Sequence, residues 1–277
     1  ILYDGEGQDI YEGNRFTQGA AFGGFGLLVD RAGDDRYTSF GYALGFGAPL
    51  GVGALIDVSG NDFYECGGRY PSAYNETDAP NAHPQDPVFQ YDCFGLGTGS
   101  GLRVFSKQPA HRALSLAGGW GLFIDLDGRD RYRSANFSQG HGYFFGLGVK
   151  LDLNGDDEHQ AARYGHGTAA HFGVGLNIDY QGKDRYGSKG PFYNGGAAWD
   201  GSVALAVDGG PDSDFYDLPA STGLGMGDLG GWGLFIEECG ADQYAVSRAL
   251  GQGAEHSIGA LFDLEGRDDY SSVPPPA

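Results

Sequence analysis

"LFIDLDGRDRY", residues 122–132, sets an aliphatic run, an Asp-x-Asp-Gly and a tyrosine end to end. Taken alone, Asp125, Asp127 and Gly128 look like the opening of a calcium loop. The rest of the chain makes the stretch one copy of a repeat. "LVDRAGDDRY" (28–37), "LIDVSGNDFY" (55–64), "NIDYQGKDRY" (177–186) and "LFDLEGRDDY" (261–270) share its frame. So do "LYDGEGQDIY" (2–11), "KLDLNGDDEH" (150–159) and "FIEECGADQY" (235–244), while "AVDGGPDSDFY" (206–216) carries one inserted residue. The common element is Asp-x-x-Gly-x-Asp-x-Tyr, and its leading acids fall at 4, 30, 57, 125, 152, 179, 208, 237 and 263. Asp127 lies outside that frame, with Ala32, Ser59 and Gln181 as counterparts. The twelfth position from Asp125 is Asn136, where an EF-hand needs a bidentate Glu, so an EF-hand is excluded.

The steps of 26, 27 or 29 residues are too short for a propeller blade. A short unit with a Gly turn, repeated in register, predicts an all-β parallel β-helix, or solenoid, in which each coil stacks on the next at about 4.8 Å. Ten such coils give a rod roughly 45 Å long. Counting from the leading acid, positions −1 (Val29, Ile56, Ile124), −3 (Leu27, Leu122, Val149) and −5 (Phe25, Trp120, Leu147) are apolar at period two. They are expected to form the buried face of a strand. Position −2 admits Lys150 and Asn177 and is expected to face outward, with a flat glycine strip at −4 and −6 beside it. After the turn, Asp at +5 and Tyr at +7 should point inward and the variable +6 residue outward. The tyrosine column from Tyr37 to Tyr270 is read as stacked core.

Composition agrees. The 277 residues include 52 glycines, which argues against helices, and no three-residue period suggests collagen. A net charge of −20 disfavours nucleic acid or an anionic membrane as partner and suits a divalent cation. No apolar run is long enough to span a bilayer. The whole chain, 1–277, is read as one solenoid domain with an insertion at about 65–110 and a C-terminal tail at 271–277. The insertion holds "PSAYNETDAPNAHPQDPVFQYDC" (71–93), and "FGLGTGSGL" (94–102) reads as a coil that rejoins the rod. Cys66 and Cys93 flank the insertion and either close it as a disulfide, fitting an oxidising compartment, or sit unpaired as small core residues. Cys239 is expected to be free in a turn.

Gly60-Asn61-Asp62-Phe63-Tyr64 resembles the back half of the Gly-Gly-x-Gly-x-Asp-x-apolar nonapeptide of RTX calcium-binding β-rolls. The likeness covers the Gly, the Asp and the inward residue. It departs in the missing Gly-Gly, the Tyr and the 27-residue period. It implies calcium held by turn carbonyls and Asp carboxylates. The repeat offers the candidate ligands Asp30, Asp35, Asp57, Asp62, Asp125, Asp130, Asp152, Asp157, Asp179, Asp184, Asp263 and Asp268. Stacked at about 5 Å, such carboxylates repel by roughly 1–3 kcal/mol per neighbour. Either calcium between coils neutralises them, or each Asp caps its own turn by accepting backbone N–H bonds with no metal.

His141, His159, His166 and His171 gather in the central coils, where His159 replaces the column tyrosine and His166 a lane of Gln18, Gln139 and Gln252. That substitution pattern favours structural roles over a zinc or general-base site. The functional expectation is an extracellular or cell-surface structural or adhesive solenoid, calcium-stabilised and self-assembling into fibres. Self-association is expected through the glycine strip or end to end, since neither terminus shows a cap. The alternative is a carbohydrate-active enzyme, a polysaccharide lyase or hydrolase, with Arg36, Arg131 and Arg185 at +6 as basic partners.

Overall fold

The computed structural model describes residues 1–72, 91–104, 114–188, 193–218, 223–246 and 250–272. It is a parallel β-solenoid, with no helix among those residues. Eight six-residue strands, from Phe25–Asp30 to Ile258–Asp263, stack with the short Leu2–Tyr3 into a nine-stranded sheet. A turn then leads to a second nine-stranded sheet, from Ile10–Arg15 to Asp269–Ser272. Two-residue strands such as Gly142–Tyr143 and Ala169–Ala170 make a five-stranded third side. The register is that of the repeat: Asp57 pairs with Asp125, Asp125 with Asp152, and Tyr64 with Tyr132.

The rod has nine rungs in each long sheet, rather than ten coils. The run at 94–102 adds no rung of its own. Asp92–Gly95 pairs with Asn136–Ser138, and Gly99–Ser100 with Gly142–Tyr143. These strands complete the coil begun by Val52–Asp57 and Phe63–Cys66. Cys66 and Cys93 form a buried disulfide across the excursion that interrupts this coil. Most of the excursion, 73–90 and 105–113, lies outside the described residues.

The faces of the first sheet are the reverse of the hydropathy reading. Positions −2 and 0 are inward: Leu55, Phe123, Lys150 and Asp125 have no exposed surface. Positions −1, −3 and −5 point out, with Phe25 60% and Trp120 57% exposed. Glycine at −4 is interior as well, because the third side of the coil passes directly beneath. A Cβ on Gly53 would lie 2.0 Å from the Phe46 carbonyl oxygen, and one on Gly121 2.1 Å from that of Thr98. The glycines thus narrow the rod and do not make an outer strip. In the second sheet Asp at +5 and Tyr at +7 point inward, as the repeat predicts.

The corner after the second sheet is built from aromatic residues in the left-handed region, including Tyr42 (φ 53°), Phe94 (49°), Phe137 (62°) and Tyr164 (56°). That conformation costs a bulky residue about 1–2 kcal/mol. Stacking offsets it, since the rings of Tyr42, Phe94, Phe137 and Tyr164 follow one another at 5.3, 4.6 and 4.7 Å. The tyrosine column runs beside it: Tyr37, Tyr64, Tyr132, His159, Tyr186, Tyr216, Tyr244 and Tyr270 stack at 4.6–5.2 Å.

Candidate metal centre

The acids of the repeat meet inside the rod. The leading acid ends its strand at an inward position, and the +5 acid returns inward after the glycine turn, so each coil delivers two carboxyl groups to one corner. Asp30, Asp57, Asp125, Asp152, Asp179, Asp208 and Glu237 are 0–2% exposed, and Asp35, Asp62, Asp130, Asp157, Asp184, Asp214 and Asp242 are 0–3% exposed.

Each class uses one oxygen for a repeating hydrogen bond. The +5 carboxylates form a ladder along the backbone: Asp62 Oδ1 accepts the Asp35 N–H, Asp130 Oδ1 that of Asp62, and Asp157 Oδ1 that of Asp130, all at 2.6 Å. The ladder continues through Asp184, Asp214, Asp242 and Asp268. The cap expected for a turn is therefore made, but to the preceding coil. The leading acids accept from the tyrosine column: Tyr37 Oη donates to Asp57 Oδ2 at 2.6 Å, Tyr64 to Asp125 at 2.9 Å, and Tyr132 to Asp152 at 2.7 Å. Tyr216 bridges Asp208 and Glu237. Burial and the surrounding carboxylates hold the phenols of Tyr64, Tyr132 and Tyr186 far above the ordinary value, so they stay protonated donors.

The second oxygen of most of these acids is bare. Asp35 Oδ2, Asp57 Oδ1, Asp125 Oδ1, Asp157 Oδ2, Asp179 Oδ1, Asp184 Oδ2 and Asp208 Oδ1 are buried with no hydrogen-bond partner. A buried carboxylate oxygen needs a proton or a cation. Acids of adjacent coils converge in triads, each offering ligand oxygens within 4.8 Å of one another: Asp35, Asp57 and Asp62; Asp62, Asp125 and Asp130; Asp179, Asp184 and Asp208. Asp4, Asp9 and Asp30 make a further triad near the first rung. These clusters have the donors to hold a metal ion.

Without a cation the triads are acids of raised pKa. Burial, reinforced by the neighbouring carboxylates, pushes Asp62 up to about 8, Asp130 and Asp157 to about 9 and Asp184 to about 10. Asp35 and Asp242, nearer the ends, rise to about 6. Asp57 and Asp179 are raised and Asp125 and Asp208 lie well above the carboxylate range, with burial again the largest cause.

One rung contains a cation already. The Lys150 side chain is fully buried, its Nζ 2.9 Å from Asp152 Oδ2 and 3.9 Å from the centre of the Tyr132 ring. Burial pulls its pKa down, but Asp152 and Asp179 outweigh that and hold it above the ordinary lysine value. Position −2 therefore admits lysine because the interior is acidic, not because the position faces water. In the same coil His159 replaces the tyrosine, with Nε2 3.1 Å from Asp179 Oδ2.

Of the twelve candidate ligands, Asp30, Asp35, Asp57, Asp62, Asp125, Asp130, Asp152, Asp157, Asp179 and Asp184 lie in this interior column, and Asp263 and Asp268 continue it at the last, more exposed rung. The column also contains Asp208, Asp214, Glu237 and Asp242, which belong to two copies of the repeat but are not among the twelve candidates. The four histidines make no common centre. His141 Nδ1 pairs with Thr168, His166 Nε2 with the Gly187 carbonyl, and His171 Nδ1 with Asp200. Burial lowers the pKa of His141 and His166 to about 3, so both are neutral. No known family, curated protein or solved structure matches the chain. The likeness to RTX repeats thus extends to the Gly-Asp turn and carries no membership.

Proposed function

We propose that this chain is an extracellular or cell-surface structural rod whose coils are pinned together by an internal column of calcium ions. The observation that carries the reading is the recurrence, coil after coil, of converging buried carboxylates with one oxygen hydrogen-bonded and the other bare. Tyrosine O–H and backbone N–H groups donate to these acids, which suits the ionised form. Each coil adds two buried acids, so one divalent cation per coil leaves the interior neutral. Each triad offers one ligand oxygen from each of its three acids, about half of the 6–8 oxygens that calcium takes. Lys150 supports the same reading, since that rung already carries a positive charge among its carboxylates. The Cys66–Cys93 disulfide supports an oxidising compartment.

The test is elemental analysis of the purified chain after dialysis, with melting curves in calcium and in chelator. Retained calcium at several ions per chain and a large fall in Tm with chelator are expected. A chain that holds no metal and melts identically in both buffers contains protonated acids instead, and the calcium reading fails.

A second reading rests on a different place. Arg36, Arg129, Arg131, Lys183 and Arg185 line a groove of about 1160 Å³ outside the second sheet, alternating with acids such as Asp156 and Glu158. The Arg36 and Arg185 guanidinium groups lie over the rings of Phe63 and Phe215 at 4.5 and 4.6 Å. Guanidinium groups stacked on rings, with carboxylates between them, suit a polysaccharide that bears acidic groups, as ligand or as substrate. Gel retardation by polygalacturonate but not by dextran, lost in Arg131→Glu with Arg185→Glu, is the expected result. Release of unsaturated sugars would make the groove an active site, and equal mobility in both gels removes this reading.

A further inference from the structure

The outward face of the first sheet is apolar from one end of the rod to the other. Its three lanes, at −5, −3 and −1, contain no charged side chain in any of the eight long strands, and the indole N–H groups of Trp120 and Trp232 are their only side-chain hydrogen-bonding groups. The −5 lane stands highest: Phe25 is 60% exposed, Trp120 57%, Trp232 53% and Ile258 48%. The −3 and −1 lanes are mostly half-buried by their neighbours. The second sheet shows the contrast, for its outward +6 lane carries Arg36, Arg131, Glu158 and Arg185. Nine strands about 4.8 Å apart and six residues at about 3.3 Å give a flat face of roughly 800 Å². Apolar patches on monomers rarely exceed a few hundred Å², whereas a stable interface buries about 800 Å² on each partner.

We propose that this face is the interface between two copies of the chain, packed sheet on sheet. Its ridges repeat at the coil spacing, and only a partner with the same spacing stays in register along the whole length. A second copy has that spacing by construction. A two-fold axis parallel to the rod lays the tall −5 lane of one copy over the branched −1 lane of the other, Val29 to Phe262, and the reverse contact follows by symmetry. The three lanes have no charged side chain, so the two rods meet without placing like charges in the contact. The inference rests on the fold and not on the calcium column.

The test is sedimentation of the full chain across a concentration series, with tryptophan fluorescence read in parallel. A particle of twice the chain's mass is expected, favoured by high salt, which screens the two acidic rods. Trp120→Lys and Trp232→Lys are expected each to raise the dissociation constant at least tenfold with an unchanged far-UV spectrum. The half-exposed positions leave the interior untouched. In the unaltered chain, dilution should red-shift the tryptophan emission and raise its quenching by acrylamide, a readout that needs no variant to fold. A chain that is monomeric throughout, or a dimer unaffected by both substitutions, overturns the proposal. So does a monomer that sediments with phosphatidylcholine vesicles through this face, which would assign it to lipid.

Discussion

Asp62→Asn separates a metal column from a column of shared protons, because the two give opposite signs. Asp62 belongs to two triads, and its Oδ1 accepts the Asp35 N–H at 2.6 Å. Asparagine keeps that acceptor and deletes one charge. In the metal-free protein Asp62 titrates near 8, pushed up mainly by burial. An acid whose folded pKa is raised contributes stability that is full below its unfolded value, near 4, and lost as pH rises through the folded value. At pH 7 the folded chain must hold a proton about three units above the unfolded pKa, a cost of about 4 kcal/mol that asparagine avoids. With calcium the sign reverses. Two sites lose a ligand, and each site at a hundredfold excess over its Kd contributes about 2.7 kcal/mol. Differential scanning fluorimetry of both proteins, in chelator and in calcium from pH 5 to 9, reads all of this. The original chain should melt progressively lower with rising pH in chelator and stay nearly flat in calcium. Asp62→Asn should melt higher than the original chain in chelator at pH 7–8 and show a smaller calcium shift. Equal destabilisation in both buffers, with no pH slope in chelator, would refute the reasoning.

Lys150→Met leaves Asp152 and Asp179 without their ammonium, and in chelator at pH 8 should cost about 3–5 kcal/mol, as removal of one buried partner does. In calcium it should regain most of that loss and bind one additional ion, counted by elemental analysis. Gly53→Val drives its side chain into the Phe46 carbonyl 2.0 Å from the Cβ position and should abolish the cooperative melt, followed by circular dichroism. Cys66→Ser opens the disulfide that closes the excursion and should lower stability by about 2–4 kcal/mol, with no further loss on adding reductant.

The sequence leaves the state of Cys66 and Cys93 open between a disulfide and two unpaired core residues, whereas the period, the parallel stacking and the inward Asp and Tyr of the second strand were legible in it. They follow from spacing, and spacing survives any error about polarity. The faces of the first strand were not legible, because hydropathy assumes that the interior is oil. Here the interior beside Asp125 and Asp152 is a file of acids, and the aliphatic residues at −1, −3 and −5 lie outside. A signal was present: Lys150 and His159 depart from the repeat in the same coil, as a buried ammonium and the ring beside it would. The glycines at −4 share the parity of Lys150, and together they mark the side where the backbone of the third side passes. The bare second oxygens had no signature in the sequence, since they depend on which donors reach which acid.

The backbone-to-carboxylate ladder gives the rod a direction. Each turn acid accepts an N–H from the coil before it, so Asp35 waits for Asp62, and Asp62 for Asp130. A coil that leaves the ribosome first has its turn N–H bare until the next coil arrives to cover it. Growth toward the C-terminus therefore satisfies a donor with every step, and each finished coil is the template for its successor. Loss of a coil from the C-terminal side exposes a donor that water can serve. Loss from the N-terminal side instead strips a donor from a carboxylate already crowded by others. The two faces of any cut through this rod are chemically unlike, one short of an acceptor and the other overfull of charge.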